Sequence, residues 1–203
     1  MIAIVDYGLG NLGSIANMLK AIGEKSVITS EQKAIHDADK VILPGVGSFD
    51  AGIKNLHERN LYAFLQDEAK IGKPILGICL GMQLLGRKSE EGKLAGLGLI
   101  PFDNVRFQLP AGSNLKIPHM GWDVVKFEHK SALTDGIEGR QRYYFVHSYH
   151  ADCDNRENIL MSCDYGYEFA ASVMKENVYG VQFHPEKSHD FGMALLKNFA
   201  KRC

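Results

Sequence analysis

Short apolar runs alternate with amphipathic stretches along the first half of the chain. IAIVD (Ile2 to Asp6) is an apolar run closed by Asp and followed by Gly, the pattern of a buried strand. Leu12, Ile15, Ala16, Leu19 and Ile22 then keep helical spacing, which predicts a helix capped by Asn11 and stopped by Gly23. KSVIT and KVILPG (Lys40 to Gly45) predict a second and a third strand. Residues from about Leu56 to Ile71 predict a helix, with Leu61, Phe64, Leu65, Glu68 and Ala69 on its packed face. KPILGI predicts a fourth strand. This alternation argues for an open α/β sheet, mostly parallel, with helices on both faces.

After Gly92 the texture changes. GLGLIPFDNVRF, GWDVVKF, RYYFVHSY, NILMSCDYG, FAASVMK and NVYGVQFH are short and rich in β-branched and aromatic residues. They predict antiparallel additions and hence a mixed sheet. A last helix is predicted from Phe191 to about Lys201. With no internal repeat, low-complexity stretch or linker, residues 1–203 read as a single domain.

Composition narrows the partners. Of 203 residues, 45% are hydrophobic and 23% charged, the balance of a soluble globular protein, and the formal net charge is −1. That charge gives no general reason to expect nucleic acid or an anionic membrane. No apolar run approaches a bilayer span, and the first residues carry no signal-like pattern, so a cytoplasmic location is expected. The four cysteines, Cys79, Cys153, Cys163 and Cys203, form no CxxC pair. This argues against a zinc or thioredoxin-type site, and a cytoplasmic setting argues against disulfides. No metal and no cofactor are expected.

Cys79 stands in KPILGICLGMQLLG between Gly77 and Gly81, where a strand pattern gives way to a helix pattern. Gly-x-nucleophile-x-Gly is the pattern of a sharp strand–helix elbow that exposes a reactive side chain. The elbow strains the backbone and leaves no room for side chains two residues to either side. A following helix would turn its N–H groups toward the thiol and favour its anionic form. The Leu80 N–H would then face an oxyanion formed by attack of Cys79. GxCxG by itself also fits a tight turn whose cysteine is only small and apolar.

A cysteine nucleophile needs a base, and the base needs an orienting group. GVQFHPEKS supplies both, because His184 and Glu186 flank Pro185. In an extended segment, residues two apart point the same way, so Glu186 can reach His184 Nδ1 and leave Nε2 free for Cys79.

GICLGMQ with HPE is similar to the triad-type, class I glutamine amidotransferases. DYGLGN, LPGVGSF, GICLGMQLL, SEEG, PHMGW, YFVHSY and QFHPEKS also follow the order of one branch, the glutaminase subunits of imidazole glycerol phosphate synthase. The resemblance covers nearly the whole chain and implies a three-layer, flavodoxin-like fold. It implies that Cys79 attacks the side-chain amide of glutamine and that His184 and Glu186 complete a Cys-His-Glu triad. Leu80 and Val46, the latter by a peptide flip in PGVG, would form the oxyanion hole. Gly47, Gln83, Glu91, Ser148 and Tyr149 would hold the amino acid. Ammonia would pass to a (β/α)8 synthase subunit in a heterodimer of histidine biosynthesis. Asn11, Ser14, Trp122, Tyr144 and Lys187 would face that subunit.

Gly86-Arg87 stands where the branch would carry an aromatic, and Asp123 where Asn would follow GW. The C-terminal segment also resembles paralogues that supply ammonia for amidino groups on bacterial surface sugars. A non-catalytic binding member of the fold would lack part of the triad, and all three residues are present. A papain-like peptidase would need an orienting Asn and would not need Gln83 or PGVG.

Overall fold

The computed structural model describes residues 1–203. Strands β1 (Ile2–Val5), β2 (Ser26–Thr29), β3 (Lys40–Gly45) and β4 (Ile75–Cys79) run parallel in the order β2-β1-β3-β4. Near the C-terminus, β11 (Val178–Val181) joins β4 in the same direction. Beyond it the sheet turns antiparallel through β10 (Glu168–Lys175), β9 (Ile159–Asp164), β6 (His119–Phe127) and β7 (Gln141–His147). Strand β5 (Phe102–Arg106) pairs with β8 (Tyr149–Cys153), and β8 bridges to β10. All eleven strands therefore belong to one mixed sheet.

Side-chain alternation divides the core in two. Ala3 and Val5 point to one face of β1, and Ile2 and Ile4 to the other. The first face packs α2 (Gln32–Asp37), α3 (Phe49–Glu58), α4 (Tyr62–Lys70) and α5 (Leu80–Leu84) through Ile35, Phe49, Ile53, Leu56, Leu65 and Leu80. The second packs α1 (Leu12–Ala21) and α6 (His189–Arg202) through Ile15, Leu19, Leu195, Leu196 and Phe199. The result is the three-layer arrangement that strand–helix alternation predicts.

Three expectations change. The helix predicted from Leu56 to Ile71 is two helices, broken at Asn60, whose φ is 57°. The Asn60 N–H donates to His57 O at 3.0 Å and the Leu61 N–H to Leu56 O at 2.8 Å, a Schellman ending that the apolar spacing of 56–71 conceals. The RYYFVHSY strand ends at His147, and the chain changes partner strand across Ser148. Asn11 occupies the N-cap of α1 but makes no side-chain capping bond. Gly23 does stop that helix, with φ 83° and a bond from the Glu24 N–H to Leu19 O at 2.9 Å. Helix α2, with Ile35 as its one buried residue, is too short for periodicity to reveal.

Glu68, on the packed face of α4, is buried with a partner. Its Oε2 lies 2.8 Å from Lys73 Nζ, and the two side chains are 5% and 8% exposed. Lys73 Nζ also donates to the carbonyls of Ile35, His36 and Ala38 at the end of α2. Burial works against the Glu68 carboxylate, but Lys73 and His36 outweigh it and hold its pKa below the ordinary value. The stability this supplies is present above the unfolded carboxylate pKa and is lost as pH falls through the folded one. Lys73→Met leaves the buried Glu68 carboxylate with His36 alone and three carbonyls without their donor. Chemical denaturation is expected to show a loss of about 3 kcal/mol at neutral pH, shrinking as acid protonates Glu68.

Candidate active site

Cys79 ends β4 and opens α5 with φ 53° and ψ −111°, a conformation that non-glycine residues avoid. The helix must turn back sharply across the sheet to permit it. A Cβ at Gly81 would stand 1.7 Å from Leu43 O, and one at Gly77 would stand 2.6 Å from Gly81 O. Both glycines are therefore fixed by contact with backbone, as the elbow reading predicts.

The thiol lines a cavity of about 310 Å³ with Val46, Gly47, Leu80, Gln83, Glu91, Ser148, Tyr149 and His184. That volume is at the small end of ligand pockets and suits an amino acid. His184 Nδ1 lies 2.7 Å from Glu186 Oε1, with both side chains 2% exposed. The chain is not extended there, because Pro185–Lys187 forms a 3-10 turn, but the turn still brings the carboxylate to the ring. His184 Nε2 is buried without a hydrogen-bond partner. Burial disfavours the imidazolium, yet the Cys79 sulfur and the Glu186 carboxylate outweigh it and raise the His184 pKa to about 9. Cys79 thus lies within electrostatic reach of His184, although the two do not meet hydrogen-bond geometry.

Three adjacent parallel strands deliver these groups. Gly45 is paired with Cys79 across β3 and β4, and β11 leads into His184 on the other side of β4. In an open α/β sheet such strand ends form the binding crevice. A Cβ at Gly45 would stand 2.3 Å from the Tyr7 hydroxyl and 2.9 Å from Leu80 Cβ, so the PGVG loop lies directly against the elbow. Gly47, at φ 119°, lets the loop turn beside it.

With this geometry in view, residues 3–203 match the family model described as glutamine amidotransferase class-I. The chain belongs to the class-I glutamine amidotransferases. It is 53% identical to the imidazole glycerol phosphate synthase subunit HisH 2 of Methanococcus maripaludis, over 100% of both chains. It is 47% identical to the subunit of the same name from Pseudomonas aeruginosa, over 99% of each. In fold it is similar to the PurLQS structure from Thermotoga maritima, with a TM-score of 0.73 at 21% identity, covering 98% and 96% of the two chains. A glutamine amidotransferase from the same organism gives a TM-score of 0.68 at 16% identity, covering 99% and 96%.

Within this amidotransferase, the residues expected to hold glutamine do meet at the cavity. Gln83 Nε2 donates to Tyr149 O and to Gln182 Oε1, each at 3.1 Å. Glu91 Oε2 accepts the Phe49 N–H at 2.7 Å, so it also caps α3. The residues expected at a partner face lie partly together. Trp122 and Tyr144 are cross-strand neighbours with ring centroids 6.2 Å apart, and Lys187 Nζ stands 5.5 Å over the Tyr144 ring. The Tyr144 carbonyl accepts the His184 N–H at 2.9 Å, which ties this cluster to His184. Asn11 and Ser14 sit at the start of α1, which packs against the Pro185–Lys187 turn.

Sequence reasoning passed over Gln182, Ser188 and Tyr7. Gln182 Nε2 reaches Cys79 Sγ at 3.9 Å, and two-residue alternation with His184 would have flagged it. Ser188 Oγ donates to His184 O at 2.6 Å and accepts the Tyr144 N–H at 3.0 Å. The Tyr7 hydroxyl is buried without a partner, and burial with the nearby Cys79 raises its pKa. Only the packing of β1 under PGVG brings it there.

His184 carries a folded pKa above its ordinary 6.5. The stability gained from its cation is therefore complete below 6.5 and is lost as pH rises through about 9. Urea unfolding across that interval is expected to show falling stability, and Glu186→Gln is expected to flatten the fall by removing one source of the shift.

Proposed function

We propose that this chain is the glutaminase subunit of an imidazole glycerol phosphate synthase. It would hydrolyse glutamine to glutamate and ammonia and pass the ammonia to a separate (β/α)8 synthase subunit for histidine biosynthesis. The observation that carries the chemistry is the pairing of a strained Cys79 with a buried, unpartnered His184 Nε2 in one amino-acid-sized cavity. The pathway rests on full-length identity to subunits of that name.

In this scheme the Cys79 thiolate attacks the side-chain amide carbon of glutamine. The carbonyl oxygen becomes an oxyanion, received by the Leu80 N–H and, after a peptide reorientation beside Gly47, by the Val46 N–H. His184 Nε2 gives its proton to the nitrogen, and ammonia departs as the tetrahedral adduct collapses to a thioester. A water that loses its proton to His184 then attacks the thioester, releasing glutamate and the thiol. Glu186 holds the ring so that Nε2 faces the sulfur throughout. Gly47, Gln83, Glu91, Ser148 and Tyr149 hold the amino-acid end of the substrate. The cluster of Trp122, Tyr144 and Lys187, with Asn11 and Ser14, faces the partner and reports its presence to the base through the Tyr144–His184 backbone bond.

Cys79→Ser is expected to lower glutaminase turnover by about a thousandfold or more while the fold persists. A glutamine-analogue diazoketone is expected to label Cys79 and none of the other three cysteines on peptide mapping; label elsewhere removes Cys79 from its role.

The PGVG peptide can rest in either orientation, and a partner that prefers the reoriented one shifts the population by its differential affinity. Tenfold activation needs only about 1.4 kcal/mol of such coupling. Steady-state kinetics with candidate barrel subunits is expected to show at least that activation, weakened by Trp122→Ala and Lys187→Ala. A lone chain already running at the rate of the complex contradicts the reorientation. Activation only by a barrel from surface-sugar synthesis contradicts the histidine assignment and leaves the triad intact.

A further inference from the structure

Beside the cavity, with His147 in its lining, runs a line of polar groups that the reaction scheme does not use. Asp123 Oδ2 is 2.7 Å from His119 Nε2, His119 Nδ1 is 3.1 Å from His147 Nε2, and His147 Nδ1 is 2.8 Å from the Tyr149 carbonyl oxygen. The same carbonyl accepts the Gln83 amide at 3.1 Å. His119 and His147 are buried, whereas the Asp123 side chain is 40% exposed on β6, next to Trp122. The line therefore runs from an open carboxylate to the point where the chain leaves β7 for β8, and that point carries Ser148 and Tyr149.

We infer that Asp123, His119 and His147 are positioning residues that fix the Ser148–Tyr149 wall of the glutamine pocket, and that their line closes fully only when it holds one proton more than two neutral imidazoles carry. The inference rests on the glutamine reading of the pocket, and it adds a set of residues and a pH dependence to that reading.

Each of the three links needs one proton. A carbonyl only accepts, so His147 Nδ1 carries a proton. His147 lies among Phe107, Phe145 and Phe169, and burial holds its pKa well below the ordinary value, so the ring is neutral and Nε2 accepts. His119 must then donate from Nδ1. Its Nε2 faces a carboxylate, which accepts only. All three links close if His119 is doubly protonated or, equivalently, if Asp123 holds the proton. Without that proton His119 chooses one neighbour, and a lone pair faces a lone pair at the other.

The surroundings put the change below the ordinary imidazole range. Tyr165 stacks on the His119 ring at 3.9 Å and Phe145 at 4.8 Å, while Cys163 of β9 lies near Asp123. His150 and His184 face His147 from β8 and from beyond β11. Burial lowers the His119 pKa and the Asp123 bond recovers only part of the loss, so the extra proton leaves at a pH below the ordinary imidazole value. An asparagine at 123 changes the count. Its amide N–H can donate to His119 Nε2, and the line then closes with both rings neutral.

The test is calorimetric titration of glutamine into the full chain carrying Cys79→Ser, which separates binding from turnover. Readings at about pH 4.5 and about pH 8 leave room for a His119 value below that of a free imidazole. With Asp123 in place, the glutamine Kd is expected to rise about fivefold from the acid to the basic reading, beyond any change shared with Asp123→Asn. In Asp123→Asn that excess is absent. His147→Phe is expected to weaken binding about tenfold at both readings. Should His147→Phe not fold, long-range 15N–1H imidazole spectra of the otherwise unaltered chain decide the matter. Those spectra are expected to show His147 neutral with its proton on Nδ1, and His119 taking up a proton in acid with Asp123 but not with asparagine. Equal pH dependence in the two chains, or a His147 proton on Nε2, overturns the inference. Absence of glutamine binding by the Cys79→Ser chain overturns the glutamine reading and this inference together, a result distinct from equal pH dependence.

Discussion

Cys79 holds φ 53° and ψ −111°, which L-residues avoid, and its neighbourhood is built to keep it there. The helix after it turns so tightly that Gly81 rests on Leu43 O of the next strand. That contact joins the elbow to β3, so the thiol is held against the root of the PGVG loop at Gly45. Leu80, Met82 and Leu84 lie in the core on the α3 side of the sheet, and their burial offsets the local strain. The Cys79 side chain thus lines a cavity while the helix that follows it is buried.

Strand order does the rest of the assembly. The sequence β3-β4-β11 sets Gly45, Cys79 and His184 beside one another though they are far apart in the chain. The antiparallel extension adds the opposite wall. At Ser148 the chain leaves β7, which pairs β6, and enters β8, which pairs β5 and β10. A strand change leaves backbone groups without ladder partners, and here the Tyr149 carbonyl takes side-chain donors from Gln83 and His147. The same junction therefore shapes the pocket and connects it to a buried polar line reaching the surface.

The Cys79 elbow and the His184–Glu186 pair were legible because their geometry is local. Gly77 and Gly81 bracket Cys79, and one proline separates His184 from Glu186, so short spacing carried most of the arrangement. Gln83 was legible for the same reason, one helical turn past the thiol. Gln182 stands in alternation with His184 and could have been read. Asp123, His119 and His147 were not readable as a group, because their contact depends on the β6–β7 pairing that sets His119 opposite His147. Tyr7 was hidden likewise, since only the parallel pairing of β1 with β3 brings it under Gly45.

The amino-acid sequence by itself determined the alternation of strands and helices, the elbow at Cys79, the His-Pro-Glu turn and the end of α1 at Gly23. These follow from steric and periodic rules that act within a few residues. Tertiary structure decided where the 56–71 helix breaks, that Glu68 is buried against Lys73, and that the RYYFVHSY strand divides at Ser148. It also decided which carbonyls, imidazoles and carboxylates share hydrogen bonds. The physical reason is that a polar group's partner and protonation are set by whatever packs against it, and in a mixed sheet those neighbours come from strands distant in the chain.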